Sequence, residues 1–329
     1  MSNAISYVRD DQPGITRRGK KRFRYVDMTG REVDNGERRR IESLAIPPAW
    51  TNVWICPDPA GHIQATGRDA KGRKQYRYHS TFRQRRESAK FRDLAPFGEA
   101  LGKLRKQVDA DLRHPALTRD RVVAAIVSLM EQTYVRVGNH GYARTNKTYG
   151  LTTLRVNHVE VSGGHLHLNF VGKGGKEVDV TCCDSRLARV VRRCQDLPGQ
   201  NLFQYLNDDG PCAVSSTDVN DYLRAATGLD ATAKTFRTWG ASLMAAQAFA
   251  PLDPPQSPTE FGRVVNETLK PVAQALNNTV TVCRNSYVHP TVLRRYEDGT
   301  LGDLWASGPS RAAHGNSADE RRLLVVLRS

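Results

Sequence analysis

Alternating apolar and polar positions in the first third of the chain predict a small β-sheet domain. Segments 21–26 and 50–55 have strand character, and the turn-rich stretch between them contains a short helical piece at 37–45. Tyr76 and Tyr78 alternate with polar neighbours and follow a turn, which predicts another strand with both tyrosines on one face. These elements are typical of a sheet-plus-helix domain.

After Pro96 the pattern changes to the period of α-helices. Apolar residues form stripes along 100–112 and 119–135, and Thr118 is suited to cap the second of these helices. Later helical segments are predicted at 185–194, 216–226, 235–250, 261–276 and 317–327. We assign the apolar stripes to the protein core and not to a cofactor site.

One β-rich island interrupts the helices. Alternation and turn residues predict a three-stranded meander with strands at 156–161, 165–171 and 177–181. Its second turn is rich in glycine and places Lys173 at the tip of a hairpin. We therefore expect an α+β protein, with a small β-sheet-rich domain at 1–91 and a mostly α-helical domain at 92–329 that contains a small three-stranded sheet.

The charge of the chain indicates a polyanionic partner. Its 329 residues contain 49 lysines and arginines against 34 aspartates and glutamates, a net charge of +15. Residues 1–93 alone hold 21 of the basic and 11 of the acidic side chains, so this part carries +10 of the total. Nucleic acid is the first candidate for the partner, and a membrane surface is a weaker one.

A dense basic segment lies between residues 67 and 92, where ten lysines and arginines are accompanied by Asp69 and Glu87. We interpret its cations as phosphate contacts and its tyrosines as packing partners, although a solvated basic strand and helix would have a similar pattern. The candidate DNA-binding side chains in this segment are Arg68, Lys71, Arg73, Lys74, Tyr76 and Tyr78.

Several functional classes are excluded by what the sequence lacks. No run approaches the roughly 18 apolar residues of a membrane span, and the first thirty residues lack the apolar core of a secretory signal, so we expect a soluble cytoplasmic protein. The six cysteines form no C-x-x-C pair, and neither a zinc-site spacing nor an acidic cluster for two metal ions is present. The glycine-rich turn also lacks the spacing of a P-loop. We therefore predict no metal ion and no cofactor.

Five separated segments resemble one known family. They read Gly67-Arg-Asp-Ala-Lys-Gly-Arg-Lys-Gln-Tyr-Arg-Tyr-His79, Tyr134-Val-Arg136-Val-Gly138-Asn139-His-Gly-Tyr142, Phe170-Val-Gly-Lys173-Gly-Gly-Lys176, Lys234-Thr-Phe-Arg237-Thr-Trp-Gly240 and Asn278-Thr-Val-Thr-Val-Cys-Arg-Asn-Ser-Tyr287-Val-His-Pro290. Each motif alone is weak. Their order and spacing over residues 20–295 closely resemble the poxvirus-type DNA topoisomerases of class IB, in their bacterial branch.

This resemblance implies a fold and an activity. The N-terminal module would be the cap half of a C-shaped clamp around double-stranded DNA, and the remainder a catalytic domain of the tyrosine recombinase/topoisomerase IB type. The implied activity is relaxation of supercoiled DNA by a transient single-strand break with a 3′-phosphotyrosyl intermediate. Such an isomerase would need neither ATP nor metal, and we expect a monomer associated with the nucleoid.

The resemblance also implies which side chains form the active site, namely Arg136, Lys173, Arg237, Asn278 and Tyr287. Two guanidiniums and an amide would stabilise the charge that develops on a phosphate attacked by a tyrosine. Lys173 would protonate the departing 5′ oxygen, with assistance from Lys234.

Two positions depart from the viral pattern. Asn278 stands where the viral and cellular enzymes have a histidine, and bacterial members resemble this chain in having asparagine. Asn139 stands where the viral enzymes often have a basic residue, whereas Tyr142 matches the pattern. By the resemblance both Asn139 and Tyr142 would be DNA contacts.

Ordinary structural roles would explain each of these residues taken singly. Arg136 would complement a helix C-terminus, Asn278 would cap a helix, Tyr287 would pack in the core and Lys173 would be an inert surface lysine.

Two other functions stay open at this point. A site-specific tyrosine recombinase uses the same arginine pair, lysine hairpin and tyrosine, but the motif around Arg237 lacks the histidines typical of recombinases. A basic DNA-binding protein with a degenerate site is the non-enzymatic alternative.

Overall fold

The computed structural model describes residues 5–19 and 22–329, except for the side chains of residues 86–90 and 142. The chain forms two compact units, Met1–Lys90 and Phe91–Ser329. Within the described ranges, no helix is both long enough and apolar enough to cross a membrane.

The first unit is built on a five-stranded antiparallel sheet. Its strands are β1 Ile15–Arg18, β2 Arg24–Val26, β3 Thr51–Ile55, β4 Ile63–Arg68 and β5 Lys74–Tyr78, in the order β2-β1-β3-β4-β5. The alternation correctly predicts β2, β3 and β5, although residue 21, where the first of them was expected to begin, lies outside the described residues. β1 and β4 were not predicted, because β1 is short and β4 is buried along four successive positions.

Helix α1 Asn35–Ser43 lies between β2 and β3 in the sequence, and helix α2 Ser80–Arg92 follows β5. Asp34 caps α1, since its carboxylate accepts hydrogen bonds from the backbone amides of Gly36 and Glu37. The small core of this unit is formed by Ile15, Tyr25, Ile41, Val53, Ile55 and Ala65.

The second unit is mostly helical. Its helices are α3 Leu94–Arg113, α4 Arg119–Thr133, α5 His140–Asn146, α6 Ser185–Gln195, α7 Ser216–Thr227, α8 Ala233–Phe249, α9 Pro258–Ala275, α10 Val280–Ser286, α11 Pro290–Glu297, α12 Leu301–Ser307 and α13 Ala318–Arg328. The longer helices lie at the predicted segments, although α3 begins at Leu94 and not at 100 as predicted. The helices of seven or eight residues were missed, since two turns are too short for an apolar stripe.

Helix α4 begins as predicted and ends earlier. The Thr118 side chain accepts a hydrogen bond from the Arg121 amide and caps the helix. The helix stops at Thr133 instead of 135, because Tyr134 adopts the left-handed conformation with φ of 53°. The chain therefore leaves the helix before it reaches Arg136.

The predicted meander is present in this unit. Its strands are β6 Val159–Ser162, β7 His165–Val171 and β8 Glu177–Cys183, in the order β6-β7-β8. The first strand begins three residues late because 156–158 forms a 3-10 turn. A further hairpin, β9 Gln204–Asn207 and β10 Gly210–Ala213, was not predicted. The α+β fold class is confirmed.

Helix α8 runs through the main core. Phe236, Trp239 and Phe249 on this helix are buried. Gly98 on α3 makes room for the indole, since a Cβ there would come within 2.1 Å of Trp239 Cη2. Because α8 is surrounded by packed side chains, Arg237 is carried into the interior and is only 4% exposed.

Candidate active site

Arg136 is held by the segment that follows α4. Its backbone oxygen accepts a hydrogen bond from the Leu151 amide at 2.9 Å. Gly138 has φ of 102°, and a Cβ there would lie 2.8 Å from Thr153 Oγ1, so glycine is required where these two stretches cross. Arg136 Nη2 then donates to Asn278 Oδ1 at 2.6 Å. Arg136 therefore binds another member of the predicted site instead of the end of its own helix.

Arg237 is fixed from two sides. Its Nη1 donates to the Tyr134 carbonyl, and its Nη2 donates to the Leu276 carbonyl at 2.6 Å. Burial and the nearby charge of Arg136 lower the pKa of Arg237, but arginine starts so high that it stays cationic. The Nε atom is buried and has no hydrogen-bond partner among the described residues.

Tyr287 lies next to this guanidinium. It directly follows α10, the residue is 9% exposed, and its amide donates to the Cys283 carbonyl at 2.9 Å. The Cζ atom of Arg237 is 5.1 Å from the centre of the ring, and the Lys234 Nζ is 5.7 Å from it. Two cations from α8 therefore flank one tyrosine.

This surrounding charge favours the ionised form of the tyrosine. Burial alone would raise the pKa of Tyr287, but the positive charges of Arg237, Arg136 and Lys234 lower it below the usual value. Burial raises the pKa of the neighbouring Cys283 thiol to about 11, so that group stays protonated. Five other described tyrosines have a raised pKa: Tyr25, Tyr134, Tyr205, Tyr222 and Tyr296.

Lys173 is exposed in the turn between β7 and β8, as the sequence predicts. Together with Arg136 and Arg237 it lines a cavity of about 300 Å³. No hydrogen bond or ion pair with another described residue holds its ammonium group. Lys173 is thus brought to the same side of the unit as the two arginines but is not fixed there by its own contacts.

Asn278 does not cap a helix. The N-cap of α10 is Thr279, whose hydroxyl accepts a hydrogen bond from the Val282 amide. The Asn278 Oδ1 accepts from Arg136, and its Nδ2 is buried and has no partner in the described ranges. The Asn278 amide, next to the Arg136 guanidinium, and the Nε of the Arg237 guanidinium are two donors without a hydrogen-bond partner in the described ranges. Unpaired donors on or beside positive charges are suited to binding an anion.

Ser242 is a further residue of this region that the sequence analysis missed. It is fully buried on α8, and its Oγ accepts a hydrogen bond from the His289 amide at 2.9 Å. The hydroxyl donates to the Thr238 carbonyl at 2.8 Å and lies 3.3 Å from the Tyr287 carbonyl. Ser242 therefore holds the backbone on both sides of Val288. A serine whose hydroxyl donates to a carbonyl one turn earlier in its helix has no distinguishing sequence signal.

The predicted DNA-binding side chains of the first unit share the β4–β5 hairpin. Lys74, Tyr76 and Tyr78 are exposed on the same face of β5, and the two tyrosine rings stack at 5.8 Å. Lys71 is exposed in the turn, and Arg68 Nη1 donates to the Gly72 carbonyl at 2.8 Å.

Two cations of this hairpin are already paired. Arg73 binds Asp69 at 2.7 Å, and mainly through this hydrogen bond the pKa of Asp69 is lowered to about 2. Lys74 binds Asp10 at 2.6 Å. The net positive charge that the hairpin offers is therefore smaller than its sequence suggests.

The other predicted DNA contacts lie in the second unit. Asn139 is exposed directly before α5, and Lys234 is on the first turn of α8 beside Tyr287. Tyr142 is on α5, and its side chain lies outside the described part of the structure.

No cluster of three or more histidine, cysteine, aspartate or glutamate side chains in the described ranges is arranged to hold a metal ion. The charged groups that act on Tyr287 are cationic. They are arginine and lysine side chains, which are suited to binding phosphate.

Comparison with known proteins identifies the family. Residues 79–302 match the family model described as eukaryotic DNA topoisomerase I, catalytic core, and residues 22–69 match that described as bacterial DNA topoisomerase IB, N-terminal domain. The first match spans Arg136, Lys173, Arg237, Asn278 and Tyr287.

Individual relatives agree with these matches. DNA topoisomerase 1B of Acanthamoeba polyphaga mimivirus is 35% identical over 288 residues, which cover 85% of this chain and 86% of that protein. DNA topoisomerase 1B of Vaccinia virus (strain Western Reserve) is 22% identical over 282 residues, covering 82% and 85% of the two chains. The chain belongs to the type IB DNA topoisomerase family and has a bacterial-type N-terminal domain.

Proposed function

We propose that this type IB topoisomerase relaxes supercoiled duplex DNA by cutting and rejoining one strand through a 3′-phosphotyrosyl intermediate at Tyr287. It acts as a monomer on nucleoid DNA and needs neither ATP nor a metal ion. The observation that carries the proposal is the placing of two cations of α8 at a buried tyrosine, with the Arg237 Cζ 5.1 Å and the Lys234 Nζ 5.7 Å from the centre of the Tyr287 ring.

In the cleavage step, the Tyr287 oxygen bonds to phosphorus while the bond to the 5′ oxygen breaks. The phenol proton is lost to solvent, which the cationic surroundings favour because they stabilise the phenolate. Extra negative charge develops on the nonbridging oxygens. Arg136 and Arg237 stabilise this charge, and the unsatisfied Asn278 Nδ2 supplies a neutral donor.

The departing 5′ oxygen needs a proton to leave as a hydroxyl. Lys173 supplies it, since its ammonium is exposed and unpaired among the described residues and lines the same cavity as both arginines. Lys234, next to the Tyr287 ring, assists.

Rejoining reverses these steps. The phosphotyrosine ester keeps the energy of the phosphodiester that it replaces, so the free 5′ hydroxyl displaces Tyr287 without an external energy source. Supercoil relaxation supplies the net driving force, which is the physical basis for independence from ATP.

The proposal is tested by plasmid relaxation in EDTA without nucleotide. We expect both positively and negatively supercoiled plasmid to be relaxed in steps of one linking number, because one strand is cut at a time. A strict requirement for magnesium or ATP would contradict the proposal.

A site-specific recombinase would bring two duplexes together in a tetramer. The family matches favour the topoisomerase, and sedimentation of the protein–DNA complex separates the two functions. A monomer on one duplex that relaxes plasmid fits our proposal.

We also propose that the β4–β5 hairpin of the first unit binds DNA phosphates. Lys71→Gln should reduce the slope of log affinity against log salt concentration by up to about 0.9, the change per lost phosphate contact. Lys71 is chosen because it is exposed and unpaired in the described ranges, unlike Arg73 and Lys74.

Lys103→Gln is the matched control for this measurement. It removes the same charge from an exposed position on α3. We expect it to leave the slope unchanged. Equal slopes for Lys71→Gln and the wild-type protein would show that Lys71 binds no phosphate and would contradict this proposal at the one exposed, unpaired lysine on which it is tested.

A further inference from the structure

Three consecutive residues after α9 contact three parts of the proposed active site. The Leu276 carbonyl accepts a hydrogen bond from Arg237 at 2.6 Å, and Asn278 Oδ1 accepts one from Arg136 at 2.6 Å. Between them lies Asn277, to which the mechanism above gives no role.

The side chain of Asn277 reaches the hairpin that carries Lys173. Its Nδ2 donates to the Glu177 carbonyl at 2.8 Å, across 100 positions of sequence. Asn277 has φ of 50°, in the left-handed region that asparagine and glycine tolerate best. The conformation that ends α9 thus also aims this amide at β8.

Several contacts hold the end of the hairpin, and in one of them the Lys176 Nζ donates to the Asn277 carbonyl at 3.5 Å. Val171 and Glu177 form its last strand pair. The Val171 carbonyl accepts a hydrogen bond from the Tyr149 amide at 2.9 Å, while Asn277 binds Glu177. The Tyr149 contact joins backbone atoms and the Lys176 contact uses the backbone carbonyl of residue 277, so a substitution at 277 removes only the hydrogen bond from its side-chain amide.

The turn beyond this pair is closed by backbone hydrogen bonds from the Gly172 amide to the Lys176 carbonyl at 2.8 Å and from the Gly175 amide to the Gly172 carbonyl at 3.1 Å, so its shape is fixed relative to the strand pair. Gly174 and Gly175 have φ of 82° and 76°, and a Cβ at either would meet nothing within 4 Å. Lys173 is exposed and unpaired among the described residues. The place of its ammonium therefore depends on how the last strand pair is anchored.

We propose that Asn277 is a positioning residue that holds the β7–β8 hairpin so that Lys173 reaches the departing 5′ oxygen. This rests on the proposed role of Lys173 as proton donor. Asn277 itself contacts neither DNA nor the reacting atoms in this scheme.

The test is single-turnover cleavage of two suicide substrates that differ only in the bridging atom, 5′ oxygen or 5′ sulfur. Sulfur leaves as a thiolate and needs no proton. Asn277→Gly keeps the backbone conformation and removes the amide, so cleavage of the oxygen substrate should slow by roughly 3- to 10-fold, the scale of one neutral hydrogen bond. Cleavage of the sulfur substrate should stay near the wild-type rate.

Two variants complete the design. Asn277→Asp tolerates the same φ but offers no donor, and we expect the same selective loss. Asn52→Gly replaces an asparagine with nearly the same φ, 49°, on β3 of the first unit, and should cleave both substrates like the wild-type protein.

An equal loss on both substrates would mean that Asn277 acts only on stability, and no loss on either would mean that it anchors nothing. Either result overturns the inference. Lys173→Ala is measured in parallel to separate this failure from that of the proposed function. If sulfur does not rescue Lys173→Ala, the proton-donor role fails and both proposals fall. If sulfur rescues Lys173→Ala but not Asn277→Gly, the positioning role alone is wrong.

Discussion

Tyr287→Phe is expected to abolish the covalent protein–DNA adduct and plasmid relaxation, while DNA affinity stays close to that of the wild-type protein. The substitution removes the one oxygen that forms the bond to phosphorus and leaves the ring in its place. Affinity is supplied by many phosphate contacts, to which one hydroxyl adds little. The measurement is the denaturant-resistant adduct on a labelled suicide substrate, with affinity measured separately.

Tyr134→Phe is the control for this experiment. Tyr134 is close to the same arginine, since its carbonyl binds Arg237, and its ring packs over Gly240. Burial raises its pKa, whereas that of Tyr287 is lowered. Loss of the Tyr134 hydroxyl should therefore leave adduct formation intact. An adduct that persists in Tyr287→Phe would show that another residue is the nucleophile.

The sequence indicates Tyr287 only through the family motif and gives no physical reason for its reactivity. Eleven tyrosines are present, and periodicity distinguishes none of them as reactive. In the folded chain, the cations on α8 surround Tyr287, which lies about 50 positions later in the sequence. The lowered pKa follows from this tertiary arrangement, and here the physical argument and the family motif agree on the same residue.

Local structure was predicted well where a single element determines it. Thr118 caps α4, and glycine-rich turns close the meander that carries Lys173, because caps and tight turns depend on neighbouring residues. The short α10 before Tyr287 was missed, since seven residues are too few to show a helical stripe.

Contacts between distant segments were beyond sequence reasoning. Ser242 joins α8 to the chain around Tyr287, and Asn277 joins the end of α9 to β8. Each residue also has an ordinary local role. The Ser242 hydroxyl donates to a carbonyl one turn earlier in its own helix, and Asn277 adopts the left-handed conformation that ends α9. The distant partner of Ser242 is Tyr287, 45 positions away, and that of Asn277 is Glu177, 100 positions away. No pattern along the chain indicates either contact.

Lys173→Ala is expected to slow cleavage of the ordinary DNA substrate by at least about 100-fold, the scale of general acid catalysis. Replacing the bridging 5′ oxygen with sulfur should restore most of the rate. Lys173→Arg separates charge from proton donation, because a guanidinium keeps the positive charge but does not release a proton near neutral pH. We expect the arginine variant to be slow on oxygen and fast on sulfur, like the alanine variant.

The measurement is single-turnover cleavage by all three proteins on the matched oxygen and sulfur substrates. A substantial recovery of the arginine variant on oxygen would mean that Lys173 acts through its charge, as a binding group for phosphate. An equal defect of the alanine variant on both substrates would lead to the same conclusion. Lys234 on α8, whose Nζ is 5.7 Å from the Tyr287 ring, would then be tested as the proton donor with the same pair of substrates.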